Sequence, residues 1–148
     1  MLFRSNRCST WASFGGNPET AVDFFANPTP EPPAAPTNLG QFQTDGTPIP
    51  TGGHTGGVLT TTVVLKGLVA DPDPGDTITL EVEVTGLTTS SATGSSVASG
   101  SVSTASVTVT VGTVLTPISY TWRARACDQT NMCSAWVPRG GNPDFLAP

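Results

Sequence analysis

The tidiest alternation of apolar and polar residues in the chain lies at 77–84. Ile78, Leu80, Val82 and Val84 fall on one side, Thr77, Thr79, Glu81 and Glu83 on the other. A period of two is that of a strand with one face buried and the other in water. The same period runs through 120–126, where Tyr120, Trp122, Ala124 and Ala126 alternate with Thr121, Arg123 and Arg125. Its inner face carries the two largest rings of the C-terminal half, so the other strands are expected to pack around it.

Weaker patterns predict three further strands. One lies within 36–50, with Leu39, Phe42 and Ile49 inward and its prolines confining it to a sheet edge. A second covers 59–69, with Leu59, Thr61, Val63 and Leu65 on one face, and a third carries Val107, Val109 and Val111. Residues 85–106 are rich in Ser, Thr and Gly, with weak strand signals at Ser96-Val97 and Ser101-Val102. A loop at 128–132 leads to a last strand at 133–137. The glycine-rich 51–57 and the Asp/Pro/Gly run 71–76 read as turns. Helix signals are nearly absent. About seven short strands between turns are the pattern of an all-β, two-sheet sandwich.

The first 26 residues stand outside this pattern. Residues 8–18 read Cys-Ser-Thr-Trp-Ala-Ser-Phe-Gly-Gly-Asn-Pro, and 133–143 read Cys-Ser-Ala-Trp-Val-Pro-Arg-Gly-Gly-Asn-Pro, identical at seven of eleven positions. Glu19 matches Asp144. Such agreement at Cys, Trp, Gly-Gly and Asn-Pro reads as an internal repeat. The expected organisation is an N-terminal arm at 1–26, either the tail of a preceding repeat or a donated strand. A Pro-rich linker at 27–36 of semi-rigid, extended character follows, then a sandwich at 37–148. Within the arm, 20–25 has the pattern of one helical turn or of a short strand.

Composition narrows the function classes. Charged residues are 11% of the chain, against roughly 25% in average proteins, and turn residues are frequent. This fits a secreted or surface-exposed β protein better than a cytosolic enzyme. The net charge of −5 and scattered basic residues give no footprint for nucleic acid. No apolar run is long enough to span a bilayer, so no membrane insertion is expected. The N-terminus lacks the apolar core of a signal peptide; if the protein is exported, its signal was removed or lies outside this sequence.

The run Leu115-Thr116-Pro117-Ile118-Ser119-Tyr120-Thr121-Trp122-Arg123-Ala124-Arg125-Ala126 resembles the penultimate-strand motif of fibronectin type III domains. Ser134-Ala135-Trp136 resembles the opening of their last strand, and Pro36-Thr37-Asn38-Leu39 their start. Two features depart from that family: 59–69 contains no Trp, and a pair at Cys127 and Cys133 is not general in it. Asp71-Pro72-Asp73-Pro74-Gly75-Asp76-Thr77 is similar to a turn of tandem bacterial surface repeats. The resemblance implies a fibronectin type III-like sandwich, with an immunoglobulin-like or cadherin-like strand order as the alternatives that the two departures leave open, and it gives no function by itself.

Candidate chemistry is sparse. Cys127 and Cys133 flank a hairpin loop, so a disulfide is expected in an oxidising compartment. Cys8 corresponds to Cys133 and has no Cys127 counterpart in this chain, so it is either free or bonded outside its own chain. Asp71, Asp73 and Asp76 put three carboxylates on one turn, a set suited to Ca²⁺; the alternative is an Asp/Pro/Gly turn whose carboxylates cap the backbone. No other cofactor is expected. His54 reads as a solvated loop residue. Glu81 and Glu83 read as an exposed strand face paired with Arg123 and Arg125 across strands. Gly52-Gly53 and Gly56-Gly57 lead into no helix and are not a phosphate loop.

No nucleophile–base pair or metal triad appears, so no enzyme is expected. The arm residues Cys8, Trp11, Phe14, Val22, Phe24 and Phe25 form the expected assembly interface, docking as an added strand on a sister copy, the alternative being the chain's own sheet. A head-to-tail contact of that kind does not close and generates a filament. The expected function is a structural subunit or repeat of an extracellular or cell-surface fibre. The alternative is an adhesin or carbohydrate-binding accessory domain of a larger surface protein.

Overall fold

The computed structural model describes residues 29–57 and 59–148. Residues Glu31–Pro148 form one compact unit. All its regular structure is β: β1 (Thr37–Phe42), β2 (Gly53–His54), β3 (Thr60–Val69), β4 (Thr77–Thr85), β5 (Thr89–Thr93), β6 (Val97–Ala98), β7 (Ser101–Thr110), β8 (Ile118–Asp128), β9 (Val137–Pro138) and β10 (Phe145–Ala147). One sheet has the order β1-β3-β7. The other has the order β2-β10-β8-β4-β5, with β6 also on β4 and β9 also on β8. The pairings are antiparallel except that of β2 with β10.

The two predicted alternations are the facing strands at the centre of the second sheet. Glu81 lies opposite Arg125 and Glu83 opposite Arg123. Their inner residues, Ile78, Leu80, Val82, Val84, Tyr120, Trp122, Ala124 and Ala126, are all buried. Val63, Leu65, Val69, Ala105, Val107 and Val109 of the first sheet complete the core. The long strands β3, β4, β7 and β8 thus offer their apolar sides to a single layer, the arrangement that a period of two requires of a sandwich.

The Ser/Thr-rich region is more ordered than its composition implies. β7 pairs with β3 along ten residues, from Ser101 opposite Val69 to Thr110 opposite Thr60. Its inward side chains are small or β-branched, with Ser103 buried among them. That serine is satisfied: its hydroxyl donates to the Ser95 carbonyl at 2.6 Å and accepts the Leu80 amide at 3.0 Å.

Two expectations of direction and one of extent are corrected. Leu59 precedes β3 and is exposed, not inward. Phe42 turns outward, its ring 4.6 Å from the Lys66 ammonium, and Gln41 takes the inner position. The cause is a break in the β1–β3 register between Thr37 and Gly40, beside Asn38 at φ 51°. A one-residue slip turns every following side chain to the opposite face. The predicted last strand at 133–137 is reduced to an isolated bridge at Cys133 and the start of β9, which pairs with β8 at Arg123 and Ala124; the chain's last strand is β10, beyond that range, paired at 118–120.

The linker expected at 27–36 is in part seated on the unit. Pro33 and Pro36 are buried, and the Ala34 amide donates to the Ala70 carbonyl at 2.9 Å.

Candidate functional site

The chain enters the unit at the pole where β3 ends, β4 begins and β8 ends, because β3 leads into 71–76 and Asp128 lies opposite Ile78. Two turns meet there. In the first, the Asp71 carboxylate accepts the Asp73 amide at 2.7 Å, and Gly75 at φ 92° supplies the left-handed residue that the turn needs. In the second, Asp128 Oδ1 accepts the amides of Thr130 at 2.7 Å and Met132 at 2.9 Å and the Thr130 hydroxyl at 2.8 Å. Gln129 ties the turns together. Its Nε2 donates to Asp76 Oδ1 at 2.6 Å, and its Oε1 accepts the Thr77 amide at 2.7 Å.

This crossing brings carboxylate oxygens of Asp71, Asp76 and Asp128 within 4.8 Å of one another. Asp73, from the predicted trio, stands beside them with Oδ2 accepting the Glu31 amide at 2.6 Å. Asp128, absent from that trio, takes its place in the close group. Asp128 is 5% exposed and Asp73 8%. Asp71 Oδ2, Asp73 Oδ1 and Asp128 Oδ2 are buried without a hydrogen-bond donor among the described residues. Burial, then the negative charges of Asp76, Asp73 and Asp128, push the Asp71 carboxyl above its ordinary range, against the pull of the Asp73 amide.

The outer face of the second sheet carries the paired charges. Arg125 reaches Glu81 at 2.7 Å and Arg123 reaches Glu83 at 2.8 Å. Both guanidiniums lie 4.8 Å from the centre of the Trp136 ring, a cation–π arrangement. A shallow groove there is lined by Glu81, Glu83, Ser91, Thr93, Arg125 and Trp136. The two glutamates are thus each held by an arginine.

Cys127 and Cys133 form the expected disulfide, with Cα atoms 4.1 Å apart. They face each other between the Ser134 amide bond to Ala126 and the Asp128 amide bond to Met132. That is the non-hydrogen-bonded site of an antiparallel pair, where Cα atoms approach most closely. The oxidised pair is therefore no ligand set for the nearby Glu81. Replacing both cysteines by serine is expected to cost about 2–3 kcal/mol for so short a loop, read as a lower urea midpoint with thiol counting to confirm the change.

Behind the groove, 139–144 forms a loop that returns Asp144 to the core. Its Oδ2 accepts the Trp122 amide at 2.8 Å and its Oδ1 the Gly141 amide at 2.6 Å. Gln41 bridges this loop to the ring: its Nε2 donates to the Asp144 carbonyl at 2.7 Å and its Oε1 accepts the Trp122 indole at 2.9 Å. Sequence reading singled out neither residue for this role. The match of Glu19 to Asp144 was the only signal for one of them.

His54 is exposed in β2. Cys8, Trp11, Phe14, Val22, Phe24 and Phe25 lie outside the described residues. Among the described residues, no helix is long and apolar enough to cross a membrane. In comparisons with known proteins, the chain matches no family model, no curated protein and no solved structure.

Proposed function

We propose that this chain is a structural repeat of an extracellular or cell-surface fibre, built on a fibronectin type III-like sandwich. The observation that carries the reading is the role of the segment that recurs. Residues 133–144 close this sandwich, and each repeated residue has a partner or a task there. Cys133 is bonded to Cys127. Trp136 lies beside Arg123 and Arg125, Gly140 holds φ 103°, and Asp144 caps the Trp122 amide.

Residues 8–19 carry the same set, with Glu19 in place of Asp144. They call for the same complement: a facing cysteine, an Arg-x-Arg strand and buried amide donors. In this unit those groups are occupied by the chain's own closing segment. The arm's complement therefore belongs to a second sandwich of the same kind, and joining like units in this way makes an array. The fibronectin type III reading draws support from the two-sheet antiparallel arrangement and from Tyr120, whose hydroxyl donates to the Thr110 carbonyl at 2.9 Å, the tie of a tyrosine corner. The disulfide favours an oxidising compartment. The adhesin reading would need an aromatic face open to a ligand, and the Trp136 ring is engaged by two guanidiniums.

Removing residues 1–26 is expected to leave a folded monomer that no longer associates, while the full chain forms oligomers or filaments. Analytical ultracentrifugation and electron microscopy read both. Normal assemblies from the shortened chain, or a full chain that stays monomeric at all concentrations, would contradict the role given to the arm.

A further inference from the structure

We infer that the pole where the chain enters the sandwich is a Ca²⁺ site built by Asp71, Asp76 and Asp128, with Asp73 in the same turn as Asp71 and Asp76. The inference is independent of the fibre reading above.

The argument starts from how each carboxylate is used. In all four, one oxygen does structural work, accepting the Asp73 amide, the Glu31 amide, the Gln129 side chain or the Thr130 and Met132 amides. Three of the four leave the second oxygen buried and without a donor among the described residues. An unpartnered buried acceptor is costly, and a buried anion far more so. Here the anions also repel one another, since oxygens of three of them lie within 4.8 Å. Asp71 and Asp76 keep partial access to water, but Asp128 does not. Asp128 in particular is 95% removed from solvent by its 5% exposure and still turns a bare Oδ2 inward. A single divalent cation held by Asp71, Asp76 and Asp128 would offset that repulsion and give the carboxylates of Asp71 and Asp128 a partner.

The donor set selects the ion. It is all oxygen, with no His or available Cys, which disfavours zinc and copper. Three carboxylates converging from two loops suit Ca²⁺, which takes 6–8 oxygens in adaptable geometry. Mg²⁺ demands a tighter octahedron and keeps most of its waters. The position gives the ion a second effect. Asp73 belongs to the same turn and holds the Glu31 amide, while Ala70, just before the turn, holds Ala34. A cation that fixes the turn thereby fixes residues 31–34 against the body.

The test uses the full chain, stripped with EGTA and titrated with CaCl₂ alone by calorimetry and thermal melting. One site is expected, with Kd between about 10⁻⁶ and 10⁻⁴ M. At free Ca²⁺ about a hundredfold above Kd the melting temperature should rise by roughly 5–10 °C, with a much smaller response to MgCl₂. Asp128→Asn retains an oxygen for the turn and removes the charge; Asp76→Asn does the same at the half-buried ligand. Each should weaken Ca²⁺ binding at least about tenfold, yet melt in EGTA no lower than the wild type, because relief of repulsion offsets the change. A role confined to holding the turns would instead lower melting in EGTA and leave the Ca²⁺ response intact. Asp45→Asn, on an exposed turn, should bind as the wild type does. Absence of heat and of any melting shift up to millimolar Ca²⁺ would overturn the site. So would equal losses in the Asp45 and Asp128 variants, which mark diffuse surface binding.

Discussion

Asp144→Ala is expected to destabilise the sandwich by about 2–4 kcal/mol, chiefly through hydrogen bonds. Asp144 is 1% exposed. Its backbone bonds would survive the change: its amide to the Tyr120 carbonyl at 2.8 Å, and its carbonyl to the Gly52 amide at 2.9 Å and to Gln41. The two carboxylate bonds would not. They leave the buried Trp122 amide without an acceptor, at a cost of about 1–3 kcal/mol, and free the part-buried Gly141 amide, which water can reach in part. Asp144→Asn keeps one acceptor oxygen and should lose about half as much. Urea unfolding followed by tryptophan fluorescence measures both. An unchanged midpoint for the alanine variant would mean that the two amides find another acceptor. The same logic makes Glu19, in the arm, the residue through which the repeat is best probed for a like role.

The second large effect belongs to Tyr120, the single tyrosine of the chain. Its ring stacks on Phe145 with centroids 5.2 Å apart. On the other side it packs so closely on Gly86 that a Cβ there would collide with it. Tyr120→Ala should therefore cost about 3–5 kcal/mol, the usual range for emptying an aromatic site. Tyr120→Phe keeps the ring, loses the bond to the Thr110 carbonyl, and should cost about 1 kcal/mol.

Burial also pushes the Tyr120 hydroxyl above its ordinary value of 10.0. The folded state thus holds the proton more tightly than the unfolded state. Stability from this group is fully present below pH 10 and is lost as the pH rises through the folded value. With one tyrosine, phenolate absorbance reads that site alone. Its appearance should be delayed beyond the ordinary range and coincide with alkaline unfolding, and Tyr120→Phe should flatten the fall in melting temperature above pH 10. A phenolate that titrates normally in the folded protein would contradict the burial argument.

Much of this architecture was legible in the alternation itself. In 77–84 and 120–126 each residue type agrees with its side of the strand, so local pattern and tertiary demand coincide. The pattern failed where one backbone irregularity changed its phase. Nothing in Asn38-Leu39-Gly40-Gln41-Phe42 states that the chain slips there, and without the slip Phe42 is the natural inward residue. Gln41 and Asp144 were invisible for a related reason. A buried polar residue is explained only by its partners, and these lie 81 and 103 residues from Gln41 and 22 from Asp144. The acidic pole was half legible. The run 71–76 announces its own carboxylates, but Asp128 joins them only because β4 and β8 pair in the register that sets Ile78 opposite it. In β7, alternation was masked by small residues: Ser103 and Ala105 occupy core positions that a hydropathy pattern reserves for larger side chains.

The strand registers also settle where the unit is gripped. β1 begins beside Leu68, near the acidic pole, and β10 ends beside Ile118, at the far end of β8. A tension applied between Glu31 and Pro148 therefore runs along the terminal strands, not across them. Their interstrand bonds are loaded side by side and must yield together, where a perpendicular pull would unzip them one rung at a time. The short Cys127–Cys133 loop adds almost no slack to a chain held in this way.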